Sequence, residues 1–212
     1  MKLIILLLAL TAAAHAERHF NPQHQWNAEA IDNIVFIHNK LRNAASHGLW
    51  ERYSISKSSN MQLLSWNESL VAEVENEKYY CEPADNKNLP IKLGDNIYQY
   101  DVNTYDDIDG VGAMGSINKD THNALKSEEK ATKNRLRQML YSKSKSIGCI
   151  YESCDKIDSK GINYNTRLVI CKYSPPLENI DEQLFDKGEP CSNCPSGTSC
   201  GTDPNEMMKL CK

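Results

Sequence analysis

The sequence predicts a secreted α+β protein with a small cysteine-rich segment at its C-terminal end. Apolar residues recur every three or four positions from residue 27 onward, which is the spacing of an amphipathic helix. Residues 147–152 and 166–173 are predicted instead to be two strands, joined by a polar stretch. Seven of the eight cysteines lie in the last third of the chain. An even cysteine count in an exported chain predicts four disulfides, although spacing alone does not select the pairing.

The first 16 residues predict a cleaved secretory signal. Lys2 precedes an apolar run, and Ala14 and Ala16 are the small residues at the cleavage site. That run is shorter than the roughly 20 residues that a membrane-spanning helix needs, and no later run is apolar enough, so we expect no stable membrane insertion. Residues 17–26 lack periodicity and are predicted to be an N-terminal arm. The formal net charge is −4, and this mild acidity argues against a nucleic-acid partner.

The first helix is predicted between Asn27 and Gly48. Asn27 suits the N-cap because its side chain can accept a hydrogen bond from a free backbone N–H, and Gly48 suits a C-terminal stop. His38 lies on the apolar face and is expected to be a hydrogen-bonded core or rim residue. The other positions on that face are Ile31, Ile34, Val35, Leu41 and Arg42.

A second helix is predicted from Trp66 to about Cys81. Its start contains Asn67-Glu68-Ser69, which is the one N-glycosylation sequon in the sequence. Asn67 therefore has two predicted roles, as a helix cap and as a glycosylation site. The two roles are compatible if the amide oxygen accepts the capping hydrogen bond while the amide nitrogen faces solvent.

The signals in the middle of the chain are weaker. Residues 101–120 are rich in Asp and Gly and are predicted to form a mobile surface loop. A helix is predicted over Thr132–Tyr141, and Pro175-Pro176 is predicted to end the main domain. From Phe185 onward few apolar residues remain, so we expect crosslinks rather than a core to hold this end.

The residue types do not favour catalysis. Four thiolates at Cys191, Cys194, Cys200 and Cys211 could hold a structural zinc ion, but an oxidising compartment favours disulfides there. If all eight cysteines pair, no thiolate nucleophile remains. The chain has no Gly-x-Ser-x-Gly motif, and no two histidines of the mature chain have metal-ligand spacing. We therefore predict that the protein is not an enzyme and uses no cofactor.

Six phrases along the chain, in order, resemble the CAP superfamily of cysteine-rich secretory proteins, insect antigen 5 and plant pathogenesis-related-1 proteins. The resemblance extends over about residues 27–212 and is closest to the nematode venom-allergen-like branch, also called Ancylostoma-secreted proteins. Each phrase is weak alone, but their order together with the cysteines is specific. The phrases are His38-Asn39-Lys40-Leu41-Arg42, Met61 through Leu70, Gly94-Asp95-Asn96-Ile97, Gln138-Met139-Leu140-Tyr141, Ile147-Gly148-Cys149 and Val169-Ile170-Cys171-Lys172-Tyr173, with Pro190-Cys191-Ser192-Asn193-Cys194-Pro195 behind them.

This resemblance implies an α-β-α sandwich over residues 27–180, with a central antiparallel sheet between helical layers. It also implies a small hinge-like module, rich in disulfides, over residues 181–212. The disulfide pairs that it implies are Cys149–Cys171, Cys81–Cys154, Cys191–Cys200 and Cys194–Cys211.

The chain departs from the family pattern where relatives hold a divalent metal. That cavity often contains two histidines and two acidic residues. Arg135 stands at one histidine position, no histidine occurs between Cys81 and Gly94 where the other would lie, and the first acid is shortened to Asp95. Because a guanidinium carries a permanent positive charge and cannot coordinate a metal, we predict no metal there. We predict instead a charge-assisted bond between Arg135 and Asp95.

The resemblance also implies that sterols bind through the segment after the Gly94-Asp95-Asn96-Ile97 phrase. The alternation of aromatic and polar residues there fits a strand edge equally well, and both interpretations stay open. Some relatives hold a fatty acid between two helices, so the apolar face of the first helix is a second candidate site, although core packing is its simpler role. The candidate lipid-binding residues are Tyr98, Tyr100, Val102 and Tyr105.

The sequence leaves two other functions open. A crosslinked, glycosylated exterior would suit a ligand for host proteins, acting as an immunomodulator or allergen. Proteolysis is often proposed in this superfamily, but it is disfavoured here because both family histidines are missing.

Overall fold

The computed structural model describes residues 26–76, 94–102, 110–127, 130–157, 163–202 and 208–212. The predicted signal and the candidate Tyr105 lie outside the described residues. The predicted Cys81–Cys154 pair also falls outside, because Cys81 is not among them. Among the helices in the described ranges, none is long and apolar enough to cross a membrane.

A four-stranded sheet lies at the centre of the described chain. Its strands are β1 (Ser65–Trp66), β2 (Asp95–Val102), β3 (Ser146–Ile157) and β4 (Asn163–Ser174), in the order β1-β3-β4-β2. The three long strands pair antiparallel, as predicted, whereas the two-residue β1 pairs parallel with β3. The sheet is therefore mixed rather than wholly antiparallel.

Helices cover both faces of this sheet. They are α1 (Ala28–Ser46), α2 (Glu68–Asn76), α3 (Val111–Lys126) and α4 (Lys130–Met139). Because neighbouring residues of a strand point to opposite faces, Cys149 belongs to the large core with α1, α3 and α4, whereas Ile150 packs with Val74 of α2. The two layers confirm the predicted α-β-α sandwich.

The first helix begins and ends as its sequence signals predict. Asn27 Oδ1 accepts a hydrogen bond from Ala30 N at 2.8 Å, and His47 is the C-cap. Gly48 follows with a φ of 76°, a conformation that glycine adopts without the steric penalty of a side chain. These local contacts set the ends of α1.

The described chain begins inside the core rather than in an arm. Trp26 is the last residue of the predicted N-terminal arm, yet it is buried, and its ring centroid lies 4.5 Å from that of Tyr151. The packed domain therefore includes residue 26.

The second helix begins two residues later than predicted. Trp66 lies in β1, and Asn67 is the cap, with its Oδ1 accepting a hydrogen bond from Ser69 N at 2.9 Å. The start of α2 packs so closely on β3 that a Cβ at Gly148 would lie 2.7 Å from Asn67 O. A side chain at position 148 would therefore push the helix away from the sheet.

The prediction of a mobile loop over residues 101–120 is wrong, because this region contains most of α3. Gly110 precedes the helix with a φ of 72°, and a Cβ there would lie 3.1 Å from Ala30 Cβ. The glycine thus lets α3 start directly against α1. The buried face of α3 consists mainly of small or polar residues, which weakens the apolar periodicity on which prediction depends. Those residues are Ala113, Ser116, Ile117, Thr121 and Ala124.

The predicted helix over residues 132–141 exists as α4, with both ends shifted by two residues toward the N-terminus. The last buried turn of α4 places Met139 in the large core. The two predicted strands are β3 and β4, both longer than their sequence signals indicate.

The C-terminal module is packed against the main domain. Its strands β5 (Cys200–Thr202) and β6 (Lys209–Cys211) form an antiparallel pair. Cys211 N donates to Met61 O, and Leu63 N donates to Cys211 O, both at 2.8 Å. Leu210 belongs to the large core. Two disulfides hold this end, as predicted, but the prediction that it has no part in a core is wrong.

Disulfides join six cysteines of the described chain. Cys149 and Cys171 are direct cross-strand partners in β3 and β4, with their Cα atoms 4.1 Å apart. All three bridges are pairs that the family resemblance implies: Cys149–Cys171, Cys191–Cys200 and Cys194–Cys211.

Candidate functional site

A chain of hydrogen bonds between buried polar groups crosses the large core. His38 Nδ1 lies 2.8 Å from Ile34 O, and its Nε2 lies 2.9 Å from the Tyr173 hydroxyl. Because a carbonyl oxygen can only accept, these partners assign the proton to Nδ1, and Nε2 then accepts from Tyr173. Asn96 Nδ2 donates to the Tyr173 hydroxyl at 3.1 Å and to Arg135 O at 3.0 Å. The chain links α1, β4, β2 and α4.

His38 is neutral in this environment. Its side chain is 0% exposed, and burial lowers its pKa to about 4, with the positive charge of Arg42 acting in the same direction. Both ring nitrogens already have hydrogen-bond partners. A histidine in this state has no free nitrogen with which to accept a substrate proton or bind a metal. The prediction of a hydrogen-bonded core histidine is confirmed.

Arg42, which the sequence periodicity places on the apolar face of α1, is a fully buried charge. Its Nε and Nη2 donate to Gln62 O at 2.9 and 2.7 Å, and Nη1 donates to Met139 O and Tyr141 O at 2.7 and 3.0 Å. Burial lowers its pKa to about 9, so the guanidinium keeps its charge at neutral pH. Carbonyl dipoles take the place of a carboxylate partner. The side chain joins α1 to residue 62 and to the end of α4.

The predicted bond between Asp95 and Arg135 is replaced by other partners. Asp95 is 8% exposed, and its Oδ1 lies 3.7 Å from Nζ of Lys172, which stands directly opposite it in β4. The positive charge of Arg135 acts instead on Asp120 of α3. Burial raises the pKa of that carboxyl, and Arg135 offsets part of the rise. The cross-strand register therefore selects a lysine as the described ion-pair partner of Asp95.

These residues do not fit the divalent metal of the family cavity. Arg135 supplies a fixed positive charge where an imidazole ligand would be needed, and Asp95 is already paired with Lys172. Two cationic side chains at the site also disfavour a divalent cation by Coulomb repulsion. Within the described ranges, the one cluster of potential ligands is that of Cys191, Cys194 and Cys211. Their sulfurs belong to disulfides and are not thiolates.

Three of the four candidate lipid-binding residues lie in a strand rather than a loop. Tyr98, Tyr100 and Val102 occupy alternate positions of β2, which is an edge strand of the sheet. Tyr105 lies outside the described residues. Of the two interpretations that the sequence left open, a strand edge describes the backbone of these three positions.

The apolar face of α1 divides into a closed part and a partly open part. Ile34 and Leu41 are buried core residues, so they cannot line an open groove. Close contact between Gly110 and Ala30 brings the first turns of α1 and α3 together, and Val111 remains 53% exposed there. We define the α1–α3 seam as the incompletely buried apolar residues Ile31, Val35, Val111 and Met114.

The predicted glycosylation site is also a helix cap. The Asn67 amide oxygen accepts the capping hydrogen bond, as predicted. Its Nδ2 lies 3.5 Å from Ser146 Oγ, so a glycan would be attached next to this long contact. Glycosylation of Asn67 stays a prediction.

Comparison with known proteins gives one family. The model of the cysteine-rich secretory protein family, CAP, matches residues 35–173. The chain is 24% identical over 237 residues to Venom allergen 5 of Tityus serrulatus, and the match covers 95% of this chain but 55% of that relative. The chain thus spans about half the length of that curated relative.

Solved structures share the fold at low sequence identity. The structure of Na-ASP-1 matches with a TM-score of 0.59 and 18% identity, covering 91% of this chain and 50% of that one. The Hookworm Platelet Inhibitor matches with a TM-score of 0.54 and 17% identity, covering 90% of this chain and 96% of that one. At these identities the likeness shows the fold alone.

Proposed function

Because this chain belongs to the CAP family of cysteine-rich secretory proteins, we propose that it is a secreted, non-enzymatic, venom-allergen-like protein that binds a sterol or a fatty acid. The observation that carries this proposal is the α1–α3 seam, whose apolar side chains stay partly exposed on the two helices that meet at Ala30 and Gly110. Covering such a strip with an acyl chain or sterol removes apolar surface from water, which is favourable. The assignment to the nematode branch rests on the sequence phrases.

The edge strand β2 is the second proposed lipid site. Tyr98 and Tyr100 alternate along this strand and are followed by Val102. Tyrosine combines an apolar ring with a polar hydroxyl, which suits a flat ligand that is mostly apolar but carries one polar group. We assign the sterol to β2 and an acyl chain to the seam.

The residues of the polar core support the proposal of a non-enzymatic role, because they lack a group that is free to act as an acid or a base. His38 has partners at both ring nitrogens and is closed to solvent. Position 135 holds an arginine, whose charge is permanent and which cannot act as a general base. Neither residue can perform the acid–base chemistry that a hydrolase requires.

The experiment measures binding of a fluorescent fatty acid and a fluorescent sterol to purified protein. We expect Ile31→Ser combined with Val35→Ser to weaken fatty-acid binding about tenfold, since two apolar contacts of the ligand are lost. We expect Tyr98→Thr combined with Tyr100→Thr to weaken sterol binding and to leave fatty-acid binding unchanged. Threonine keeps the preference of these positions for a strand.

Leu49→Ser is the matched control, because Leu49 is 68% exposed and lies outside the seam. It removes a surface apolar side chain but should leave both affinities unchanged. Wild-type affinity of both double variants for both lipids would refute the assigned sites. A wild-type protein that binds neither lipid would refute the proposed function.

A second candidate function is contact with a host protein, as an immunomodulator or allergen. The observation that favours it is the C-terminal module, whose turn at Ser192 and Asn193 is exposed and held by two disulfides. A preorganised turn loses little conformational entropy on binding. Capture of a defined host plasma protein by wild-type protein, and loss of capture with Asn193→Ala and Ser192→Ala, would support this role.

A further inference from the structure

The four cysteines of the C-terminal module are placed so that they can pair in two ways. The observed bridges are Cys191–Cys200 and Cys194–Cys211, and the sulfurs of Cys191, Cys194 and Cys211 all lie within 4.8 Å of one another. We propose that this cluster is a thiol–disulfide exchange site. At this site a small thiol converts the observed bridges into Cys191–Cys194 and Cys200–Cys211.

The pairing of β5 with β6 already aligns one of the alternative bridges. Cys200 and Cys211 are direct cross-strand partners. Next to them, Ser199 and Lys212 exchange both backbone hydrogen bonds at 2.9 Å, whereas the N–H and C=O of Cys211 are directed to residues 61–63. Cys200 and Cys211 therefore form a non-hydrogen-bonded pair, the type in which Cα atoms approach to about 4.5 Å. That separation lies within the usual range for a disulfide.

The same protein already contains a bridge of this kind. Cys149 and Cys171 face each other across β3 and β4, and they are joined by a disulfide with a Cα separation of 4.1 Å. A bridge between Cys200 and Cys211 would repeat that arrangement in the smaller sheet.

The other alternative bridge needs only the turn that is already present. Cys191 and Cys194 have the C-x-x-C spacing of exchange-active cysteines. Ser192 N donates to Glu189 O at 3.0 Å, which starts the turn. The Cys194 sulfur lies 3.7 Å from Cys191 O, so the side chain of Cys194 is already folded back toward Cys191.

Exposure selects the sulfur at which exchange begins. Cys200 is exposed, whereas Cys211 is 1% exposed. A small thiolate, such as that of glutathione or cysteine, attacks the Cys200 sulfur and forms a mixed disulfide. The Cys191–Cys200 bond breaks, and its electron pair leaves on Cys191 as a thiolate.

Two intramolecular steps complete the exchange. The Cys191 thiolate attacks the Cys194 sulfur, forms Cys191–Cys194, and expels Cys211 as a thiolate. Cys211 then attacks the sulfur of Cys200, forms Cys200–Cys211, and releases the small thiolate. The number of disulfides is unchanged, so the external thiol acts as a catalyst and no net oxidation or reduction occurs.

The exchange changes what the bridges hold together. Both observed disulfides join the turn at residues 191–194 to the β5–β6 pair. In the alternative state, one bridge lies within the turn and the other within the strand pair. The turn is then held to the main domain by the hydrogen bond from Asn193 N to Ser59 O at 3.1 Å. Within the module, Asn193 Nδ2 donates to Asp186 Oδ2 at 3.0 Å.

The test treats the full-length secreted protein with a low concentration of glutathione. The reaction is then quenched with acid, and free thiols are alkylated. Electron-transfer fragmentation maps the disulfide bridges. We expect a gain of the Cys191–Cys194 fragment and a matching loss of the Cys191–Cys200 bridge. The buried Cys149–Cys171 bridge is the internal control and should stay intact. An unchanged native map, or earlier loss of Cys149–Cys171, would overturn the proposal.

A variant carrying Cys191→Ser and Cys194→Ser provides the second measurement. Trypsin cuts after Lys209 and releases residues 210–212 unless Cys211 is bridged. We expect this tripeptide to stay attached through Cys200–Cys211. Its release as an alkylated thiol from folded variant, with Cys149–Cys171 intact, would contradict the alternative pairing. The matched control, Cys191→Ser with Cys200→Ser, keeps the native Cys194–Cys211 bridge and should also retain the tripeptide.

Discussion

Protonation of His38 should destabilise the protein in mild acid. Its ring accepts a hydrogen bond at Nε2 from Tyr173 and donates one at Nδ1 to Ile34 O. A second ring proton would place a donor against the Tyr173 hydroxyl and a positive charge in a site closed to water. Arg42 already carries a positive charge in the same core. The folded state therefore resists protonation, whereas the unfolded chain accepts it.

The magnitude follows from the two pKa values. Burial lowers the pKa of His38 from 6.5 to about 4 in the folded state, so the unfolded chain binds the proton more tightly between these values. The stability that His38 contributes is complete above pH 6.5 and is lost as the pH falls toward the folded pKa. Linkage gives a loss of about 2.5 kcal/mol between about pH 7.5 and about pH 4.5. With a urea slope of about 2 kcal/mol/M, the unfolding midpoint should shift by about 1 M.

The assay is urea unfolding at both pH values, without reductant, for wild type and His38→Gln. Glutamine can donate to Ile34 O and accept from Tyr173 but does not titrate, so the variant should lose most of this pH-dependent difference. His122→Gln removes an exposed histidine of α3 and should behave like wild type. A His38→Gln protein whose stability falls as far as that of wild type between the two pH values would refute the reasoning.

Three further changes test packing and buried polarity, each by urea unfolding. Arg42→Met leaves several buried carbonyls without their donor and should cost about 3–5 kcal/mol, whereas Arg52→Met, at an exposed site, should cost less than about 1 kcal/mol. Gly148→Ala should cost about 1–3 kcal/mol because its Cβ would meet the backbone of α2, whereas Gly115→Ala, with open space in a helix, should stabilise by about 0.5–1 kcal/mol. Asn27→Ala should cost about 1 kcal/mol by removing the cap of α1. A reversed order within the arginine pair or the glycine pair, or no effect at Asn27, would contradict the contacts described.

The parts of the fold that were predictable are those with local signals. Both ends of α1 depend on residues next to the helix, namely Asn27 and Gly48. The register of Trp66 depends instead on a partner in β3 about 80 positions away, so the sequence around Trp66 could not place it in a strand. Helix α3 was missed because it approaches α1 through Gly110 and small side chains, which produce little apolar contrast.

In the candidate site, too, the sequence predicts residue types but not the distant residues that they contact. The residue types at positions 95 and 135 could be read from the family pattern, but their partners are set by strand register and helix packing. Lys172 becomes the partner of Asp95 because the two residues are directly opposite in β2 and β4. The periodicity of α1 places Arg42 on the apolar face, but nothing local in the sequence shows which groups would satisfy its buried charge. The carbonyls that do so are supplied by distant segments and make burial of Arg42 tolerable.

The polar core and the partly exposed apolar surface differ in how well they could accept a ligand. His38, Tyr173 and Asn96 are joined by hydrogen bonds, and Arg42 uses its donors on backbone carbonyls. A ligand that entered this core would have to break those bonds without replacing them, which is costly in a buried site. An apolar ligand on the α1–α3 seam would leave every one of them intact. The same residues that make the core a poor place for metal or acid–base chemistry are therefore compatible with the site that we propose on its surface.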